Sequence, residues 1–349
     1  MHHMYREIRE TPEALLKVKR KMEEIREIAE NLVEKGIKRI FAVGCGTSYY
    51  IAVGGLYPLI KYSNIDVYPL PSSEFFLNYL NKVDSKAAVV GISRSGSTAE
   101  TLEALKRANR RGGLTIAISC NEEAEMLEIV DKSFAVKVEE KSIIMTKSFS
   151  TMSYALSCLS AHYLKEIGIE EGKILVGELE KIPDVSKITL EKGEVAREFA
   201  KKFVEEGIRG FIYLGSGPAY ALALEGSLKI KETSYSMSEA MPTLEFRHGP
   251  MALLGEKIKL VIIALEGDTL EVTLRLIQEV KEKGHAPFVL TNSDKAAEVE
   301  GIYIPVGLNE TLTVPVMITP LQLLAYYYCV SKGLNPDKPR HLVKYVGRF

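Results

Sequence analysis

The second half of the chain repeats the pattern of the first half without gaps, displaced by 171 positions, the distance from Gly44 to Gly215. The segment Gly44-Cys45-Gly46 aligns with Gly215-Ser216-Gly217, and the register holds as far as Asn121 and Asn292. A fixed period is the sequence signature of a duplicated structural unit. Because 349 residues are enough for two ordinary domains, we expect two domains of the same architecture in tandem.

Short apolar runs alternate with amphipathic helical patterns in each copy. The runs are residues 37–43, 87–92 and 114–119 in the first copy and 210–214, 259–265 and 287–290 in the second. Runs such as AAVVGIS lack polar alternation, as expected of strands buried on both faces of a parallel sheet. The pattern predicts an α/β chain with two doubly wound, flavodoxin-like parallel-sheet domains in tandem and a C-terminal tail.

The predicted organisation has five parts. A charged stretch with an apolar helical stripe precedes the first copy, and a polar stretch containing Ile182-Pro183-Asp184 separates the copies, as a helix end and connection would. A basic, proline-containing tail follows Gly333. The predicted bounds are an N-terminal helical segment at residues 1–30, a first domain at 31–170, a connector at 171–195, a second domain at 196–333 and a tail at 334–349 that contributes to the active site.

Composition excludes several classes of partner. With 45 basic and 46 acidic residues the net charge is −1, so no nucleic acid is expected. No apolar run was expected to reach the roughly 18 residues that span a bilayer, and the N-terminus lacks a signal-peptide core, so we expect a cytoplasmic protein with no membrane partner. Scattered cysteines without CxxC spacing favour reduced thiols over disulfides or a metal site. No metal and no cofactor are expected.

The copies differ where a buried strand runs into a helix. Residues 93–98 read SRSGST in the first copy, whereas residues 264–269 read ALEGDT in the second. A helix N-terminus after a parallel strand presents free N–H groups that suit a phosphate, and hydroxyls and an arginine add to it. The acidic residues of the second copy would repel a phosphate. We predict a phosphate cradle of Ser93, Arg94, Ser95 and Thr98; the alternative is an ordinary helix cap.

A second turn of this kind follows the preceding strand. The segment GCGTS at residues 44–48 carries glycines and hydroxyls that the second copy matches only in part. Adjacent strand ends in such a sheet share one edge, so this turn is expected to line the same crevice. The alternative is simple tight-turn geometry.

The second copy has its own distinctive residues. Glu225, Lys229 and Glu232 are spaced i, i+4 and i+7, which places them on one helical face. The alternative is a solvated, salt-bridged face. His248, followed by Gly249-Pro250, has the setting of an acid/base presented on a loop.

Several motifs occur together and in a familiar order. They are GCGTS (44–48), SRSGSTAET (93–101), MTKSFST (145–151), ALEGSLKIKETSY (223–235), EFRHGP (245–250) and KPRHLVKYV (338–346). In this set the chain resembles the tandem sugar-isomerase (SIS) domain family. The resemblance extends over essentially the whole chain and is strongest to the isomerase half of glutamine:fructose-6-phosphate amidotransferases and to stand-alone glucosamine-6-phosphate deaminases.

The resemblance implies a role for each motif. Glu232 would move a proton between C1 and C2 of an open-chain sugar with help from Lys229, and Lys344 would contact the substrate at C2. His248 would open the sugar ring and reach into the neighbouring subunit's site, which implies a homodimer. The implied substrate-binding residues are Cys45, Gly46, Thr47, Ser48, Ser93, Arg94, Ser95, Thr98, Ile143, Met145 and Glu225, with the loop around Ile143 to Lys147 closing over them.

The chain also departs from the family's amidotransferases, which have Gln in place of Arg94 and Ser in place of Met145. No glutaminase domain with an N-terminal cysteine precedes Met4 in this sequence. We therefore expect a deaminase that converts glucosamine 6-phosphate to fructose 6-phosphate and ammonia. The open alternatives are a deglycase or deaminase of fructosamine 6-phosphate or galactosamine 6-phosphate, and a non-catalytic phosphosugar-sensing protein.

Overall fold

Two parallel five-stranded sheets carry the architecture. In the first sheet the order is β2-β1-β3-β4-β5, and in the second it is β10-β9-β8-β6-β7, so both sheets have the same connectivity. The strands are β1 (Arg39–Gly44), β2 (Asp66–Pro71), β3 (Ala87–Ser93), β4 (Leu114–Ser119), β5 (Lys132–Ala135), β6 (Gly210–Leu214), β7 (Met237–Met241), β8 (Ile258–Ala264), β9 (Phe288–Thr291) and β10 (Gly301–Tyr303).

The computed structural model describes residues 1–255 and 257–347, and these group into two units. The first-sheet unit comprises Glu10–Lys141, Lys147–Pro183 and Val343–Phe349. The second-sheet unit comprises Met1–Arg9, Ser142–Thr146 and Asp184–Leu342. The two units therefore do not follow chain order. The end of the tail, from Val343, groups with the first sheet, whereas the rest of the tail and the N-terminal nine residues group with the second.

The strands recur at the spacing found in the sequence. β6 begins 171 positions after β1, the distance from Arg39 to Gly210, and β7 and β8 begin at the same distance after β2 and β3. All seven residues of β3 are buried, as the absence of polar alternation predicted for a strand covered on both faces. The predicted fold class, tandem parallel-sheet α/β domains, is confirmed.

Helices flank both sheets. They are α1 (His3–Arg9), α2 (Thr11–Arg20), α3 (Met22–Glu34), α4 (Thr47–Gly55), α5 (Tyr57–Tyr62), α6 (Ser72–Asn78), α7 (Ala99–Arg110), α8 (Glu125–Glu128), α9 (Lys147–Glu166), α10 (Glu170–Leu179), α11 (Ile182–Gly193), α12 (Ala196–Glu205), α13 (Pro218–Ser234), α14 (Leu270–Glu282), α15 (Val314–Met317) and α16 (Thr319–Ser331). The stretch predicted as a connector is helical. Pro183 is compatible with this, because it lies in the first turn of α11, where a backbone N–H would have no partner within the helix.

One apolar stretch is longer than predicted from the sequence. Val314–Ser331 has the length and composition of a membrane-spanning helix, so the expectation that no run reaches this length is wrong. However, 83% of it is buried inside the protein, which is the situation of a core helix. No other helix in the described residues meets the same criteria.

His162 is a buried basic group in the long helix α9 of the first-sheet unit. It is 5% exposed, and among the described residues neither ring nitrogen has a hydrogen-bond partner. Burial lowers the pKa of His162 to about 4; the charges of Lys165 and Arg26 lower it further, and Glu23 opposes them. The folded protein therefore holds this imidazole neutral.

We predict that His162 makes the first-sheet unit sensitive to acid. The pKa of His162 is lower in the folded chain than the ordinary 6.5. The contribution of the neutral side chain to the unfolding free energy is therefore constant above pH 6.5 and is lost as the pH falls through about 4. Relative to His162→Leu, the wild type should lose on the order of 2 to 3 kcal/mol of unfolding free energy over this range. Urea unfolding at pH 7, 5 and 4 measures it.

The matched control for this prediction is His341→Asn, which alters an exposed histidine whose positive φ an asparagine tolerates. It should follow the wild type at each pH. If His162→Leu also follows the wild type, the acid sensitivity belongs to other groups.

Candidate functional site

The predicted cradle lies where β3 leads into α7. Ser93 Oγ accepts a hydrogen bond from the Gly96 N–H at 3.0 Å and is hydrogen bonded to Thr98 Oγ1 at 3.0 Å. Ser95 Oγ accepts the Ser97 N–H at 3.2 Å. Gly96 has φ +68°, and a Cβ there would stand 2.2 Å from the Ala124 side chain, so the loop is closely packed and requires glycine.

Ordinary helix capping does not account for the hydroxyls of this loop. Thr98 is the N-cap residue of α7, and its side chain accepts no capping hydrogen bond. The simple capping interpretation is therefore wrong for Thr98. The loop remains a turn rich in hydroxyls at a helix N-terminus, which is the chemistry that binds phosphate oxygens.

The GCGTS turn lies beside the cradle, because β1 pairs directly with β3 in the sheet. Gly46 is exposed with φ +53°, while Thr47 and Ser48 are buried in the first turn of α4. Burial raises the pKa of the Cys45 thiol, and Glu100 of α7 raises it further. Because β1 and β3 are adjacent parallel strands, the two turns that follow them lie at one sheet edge.

Arg94 is engaged by a residue that the sequence reasoning missed. Its Nη1 lies 3.1 Å from Oε2 of Glu140, whose side chain is fully buried. Its Nη2 donates to the main-chain carbonyl of Lys344 at 2.9 Å, and Lys344 Nζ donates to the Glu140 carbonyl at 2.6 Å. The signal that could have found Glu140 is its position directly before the loop predicted to close over the substrate.

A cavity of about 610 Å³ opens beside these residues in the first-sheet unit. Arg94 and Ser95 of the cradle, Asn121 after β4 and Lys344 of the tail contribute to its lining, together with Glu140. This volume suits a small polar ligand.

The Glu225-Lys229-Glu232 triad lies on α13 of the second-sheet unit. Lys229 Nζ is 3.0 Å from Glu225 Oε1 and 2.6 Å from Glu232 Oε2. Glu225 and Lys229 are fully buried, whereas the Glu232 side chain is 19% exposed. The alternative of a solvated, salt-bridged face is therefore wrong, because two of the three groups have no contact with solvent.

Charge balance explains how the triad tolerates burial. Burial lowers the pKa of Lys229, but the charges and hydrogen bonds of Glu225 and Glu232 more than offset it, so the pKa stands above its usual value. Lys229 is thus an ammonium held between two carboxylates. It orients Glu232, the member of the triad that a ligand can reach.

His248 follows a short 3₁₀ turn, Thr243–Arg247, and its N–H donates to the Glu245 carbonyl at 3.0 Å. Phe246 is buried and anchors the turn, while His248 is exposed. None of the contacts found in the described part of the chain joins His248 to the triad. The histidine is exposed to solvent.

The loop with Ile143 and Met145 belongs to the second-sheet unit. At its start the Ser142 N–H donates to the carboxylate of Glu7 at 3.3 Å, and at its end the Thr146 carbonyl accepts from Gln322 Nε2 at 3.1 Å. Both ends are therefore tied to this unit. Ile143 and Met145 between them are half-buried.

The structure thus places the predicted residues in two groups. The first-sheet unit holds Cys45, Gly46, Thr47, Ser48, Ser93, Arg94, Ser95, Thr98 and Lys344, and the second-sheet unit holds Ile143, Met145, Glu225, Lys229, Glu232 and His248. All four cysteines are free thiols. Within the described residues there is no cluster of three or more His, Cys, Asp or Glu side chains that could hold a metal ion.

Comparison with known proteins agrees with the division of the chain into two sheets. The sequence profile of the SIS domain matches residues 32–164 and 209–332, the two regions that contain the two sheets. The chain belongs to the SIS domain family.

Two curated relatives are similar over nearly the whole chain. The glutamine–fructose-6-phosphate aminotransferase (isomerizing) of Caldanaerobacter subterraneus is 35% identical over 99% of this chain, and that of Pyrococcus horikoshii is 33% identical over 99%. The chain spans 59% and 57% of their lengths.

Solved structures show the same fold over the full length. The C-terminal domain of glucosamine-fructose-6-phosphate aminotransferase from Francisella tularensis is 27% identical with a TM-score of 0.85, and 97% of this chain and 98% of that chain are covered. The glucosamine-6-phosphate deaminase from Thermotoga maritima is 27% identical with a TM-score of 0.77, and 99% of both chains are covered.

Proposed function

We propose that this protein is a cytoplasmic glucosamine-6-phosphate deaminase that isomerises its substrate from an aldose to a ketose and releases ammonia. The observation that carries the proposal is the buried triad, because a carboxylate oriented by an enclosed ammonium is equipped to move a proton. The likeness to a glucosamine-6-phosphate deaminase over 99% of both chains supports the proposal.

The proposed binding step uses the first-sheet unit. Hydroxyls of the 93–98 loop and of the GCGTS turn, with the N–H groups at the start of α4, would hold the phosphate. Lys344, which lines the cavity, would contact the substrate at C2. No cofactor is needed for this chemistry.

The proposed chemical steps use the second-sheet unit. His248, acting from the neighbouring subunit of a homodimer, opens the ring to the aldehyde. Glu232 then takes the proton from C2 to give an enolamine and returns it to C1, which produces an imine at C2. Water adds to that imine and ammonia leaves, so glucosamine 6-phosphate and water become fructose 6-phosphate and ammonia. A single carboxylate can serve both carbons because the intermediate is planar and cis.

The test is a panel of amino-sugar phosphates assayed for ammonia. We expect equal amounts of ammonia and fructose 6-phosphate from glucosamine 6-phosphate. Release only from galactosamine 6-phosphate or fructosamine 6-phosphate would move the proposal to that substrate. If no member of the panel yields ammonia while glucosamine 6-phosphate still binds in calorimetry, the protein is a phosphosugar sensor and the proposal is wrong.

A further inference from the structure

Main-chain hydrogen bonds hold the end of the C-terminal tail, from Val343, on the cradle. Arg94 Nη2 donates to the Lys344 carbonyl at 2.9 Å, and the Ala99 N–H, at the start of α7, donates to the Val346 carbonyl at 3.1 Å. The apolar side chains of the tail contribute little, since Val343 is 66% exposed and Val346 is 49% exposed. A segment with few buried apolar contacts opens easily unless hydrogen bonds hold it.

Glu140 is the buried end of this arrangement. Its Oε1 accepts the Ser148 N–H at 3.0 Å, and its Oε2 accepts the Ser148 hydroxyl at 2.6 Å and Arg94 Nη1 at 3.1 Å. Ser148 lies in the first turn of α9, where the helix dipole favours a carboxylate. Glu140 therefore has a rigid support on one side and the arginine on the other.

We propose that Glu140 is a positioning residue that, through Arg94, locks the tail on the cradle and places the Lys344 ammonium at the cavity. Nη1 of Arg94 is hydrogen bonded to Glu140. Because the guanidinium group is planar, this contact orients Nη2 toward the Lys344 carbonyl. Lys344 Nζ itself contacts a neutral carbonyl, so its location depends on that main-chain anchor. The effect on catalysis rests on the proposed function, whereas the docking of the tail does not.

The docking test uses Glu140→Gln, Arg94→Gln and the double variant in the full chain. Tryptic cleavage after Lys344 and hydrogen exchange of the Ala99 amide both report release of the tail. Each single variant should be cleaved about tenfold faster or more, and the double variant little faster than either, because both changes break one network. Glu103→Gln, which breaks the partly exposed ion pair with Arg107 on α7, should leave both rates at the wild-type value.

The catalytic test separates positioning from a purely structural role. With glucosamine 6-phosphate, Glu140→Gln should lower kcat by about tenfold with a smaller change in KM, because a misplaced lysine affects the reacting complex more than binding. Arg94→Gln should lower kcat by a similar factor and raise KM as well, because Arg94 itself lines the cavity. Thermal unfolding of each variant identifies any loss of fold. If Glu140→Gln does not fold, Arg94→Gln carries the test, since it removes the other partner of the same ion pair.

The two proposals fail in different ways. A wild-type protein that releases no ammonia overturns the proposed function, but the cleavage and exchange rates still decide whether the tail is locked. If both single variants are folded and neither the cleavage rate, the Ala99 exchange rate nor kcat changes, then Glu140 does not position the tail and the inference is wrong.

Discussion

Replacing Glu232 by glutamine is expected to lower kcat for ammonia release by on the order of 10²-fold or more, the usual loss for an acid/base residue. The amide keeps the shape of the side chain but cannot accept the C2 proton, and Lys229 retains its contact with Glu225 at 3.0 Å. The fold should therefore survive. Steady-state ammonia release gives the rate, and exchange of the C2 hydrogen with deuterated solvent shows directly whether proton abstraction is lost.

A suitable control for the Glu232 variant is Glu205→Gln, which alters an exposed carboxylate at the end of α12. Its kcat should equal that of the wild type. If Glu232→Gln still exchanges the C2 hydrogen at the wild-type rate, another group is the base and the assignment of Glu232 is wrong.

Replacing Lys229 by methionine is expected to destabilise the second-sheet unit by about 3 to 5 kcal/mol, because it leaves buried carboxylates without their counter-ion. Glu225 is fully buried and Glu232 largely so, which makes this a buried ion cluster. Urea unfolding at neutral pH measures the loss. Activity should fall as well, since nothing then orients Glu232.

Two comparison variants make the Lys229 prediction specific. Lys201→Met removes an exposed i, i+4 partner of Glu205 and should change stability by about 0.5 kcal/mol or less. Glu225→Gln combined with Lys229→Met should be more stable than Lys229→Met alone, because one of the stranded charges is gone. The buried-cluster argument is refuted if Lys229→Met is no less stable than Lys201→Met.

Much of the fold followed from patterns that are local in the chain. Buried parallel strands have no polar alternation, so AAVVGIS could be recognised as the β3 strand, all of it buried, without knowledge of its neighbours. The offset of 171 positions in the sequence corresponds to the offset between β1 and β6, from Arg39 to Gly210.

The candidate site was less accessible to this reasoning. The spacing of Glu225, Lys229 and Glu232 placed them on one helical face, but spacing is identical for a solvated face and a buried one. Only the packing around α13, which leaves Glu225 and Lys229 without exposure, decided between them. Similarly, nothing near Arg94 in the sequence indicated that Glu140, 46 positions away, would hold it.

The amino-acid sequence was sufficient for three conclusions: the tandem α/β architecture, the hydroxyl-bearing turns after β1 and β3, and membership of the SIS domain family. Each of these depends on residues that are neighbours in the chain. The folded structure was needed to show that the triad is enclosed, that Arg94 is paired with Glu140, and that the end of the tail with Lys344 groups with the first sheet. These features depend on which side chains, far apart in the sequence, are buried next to one another, because an unpaired charge is costly to bury.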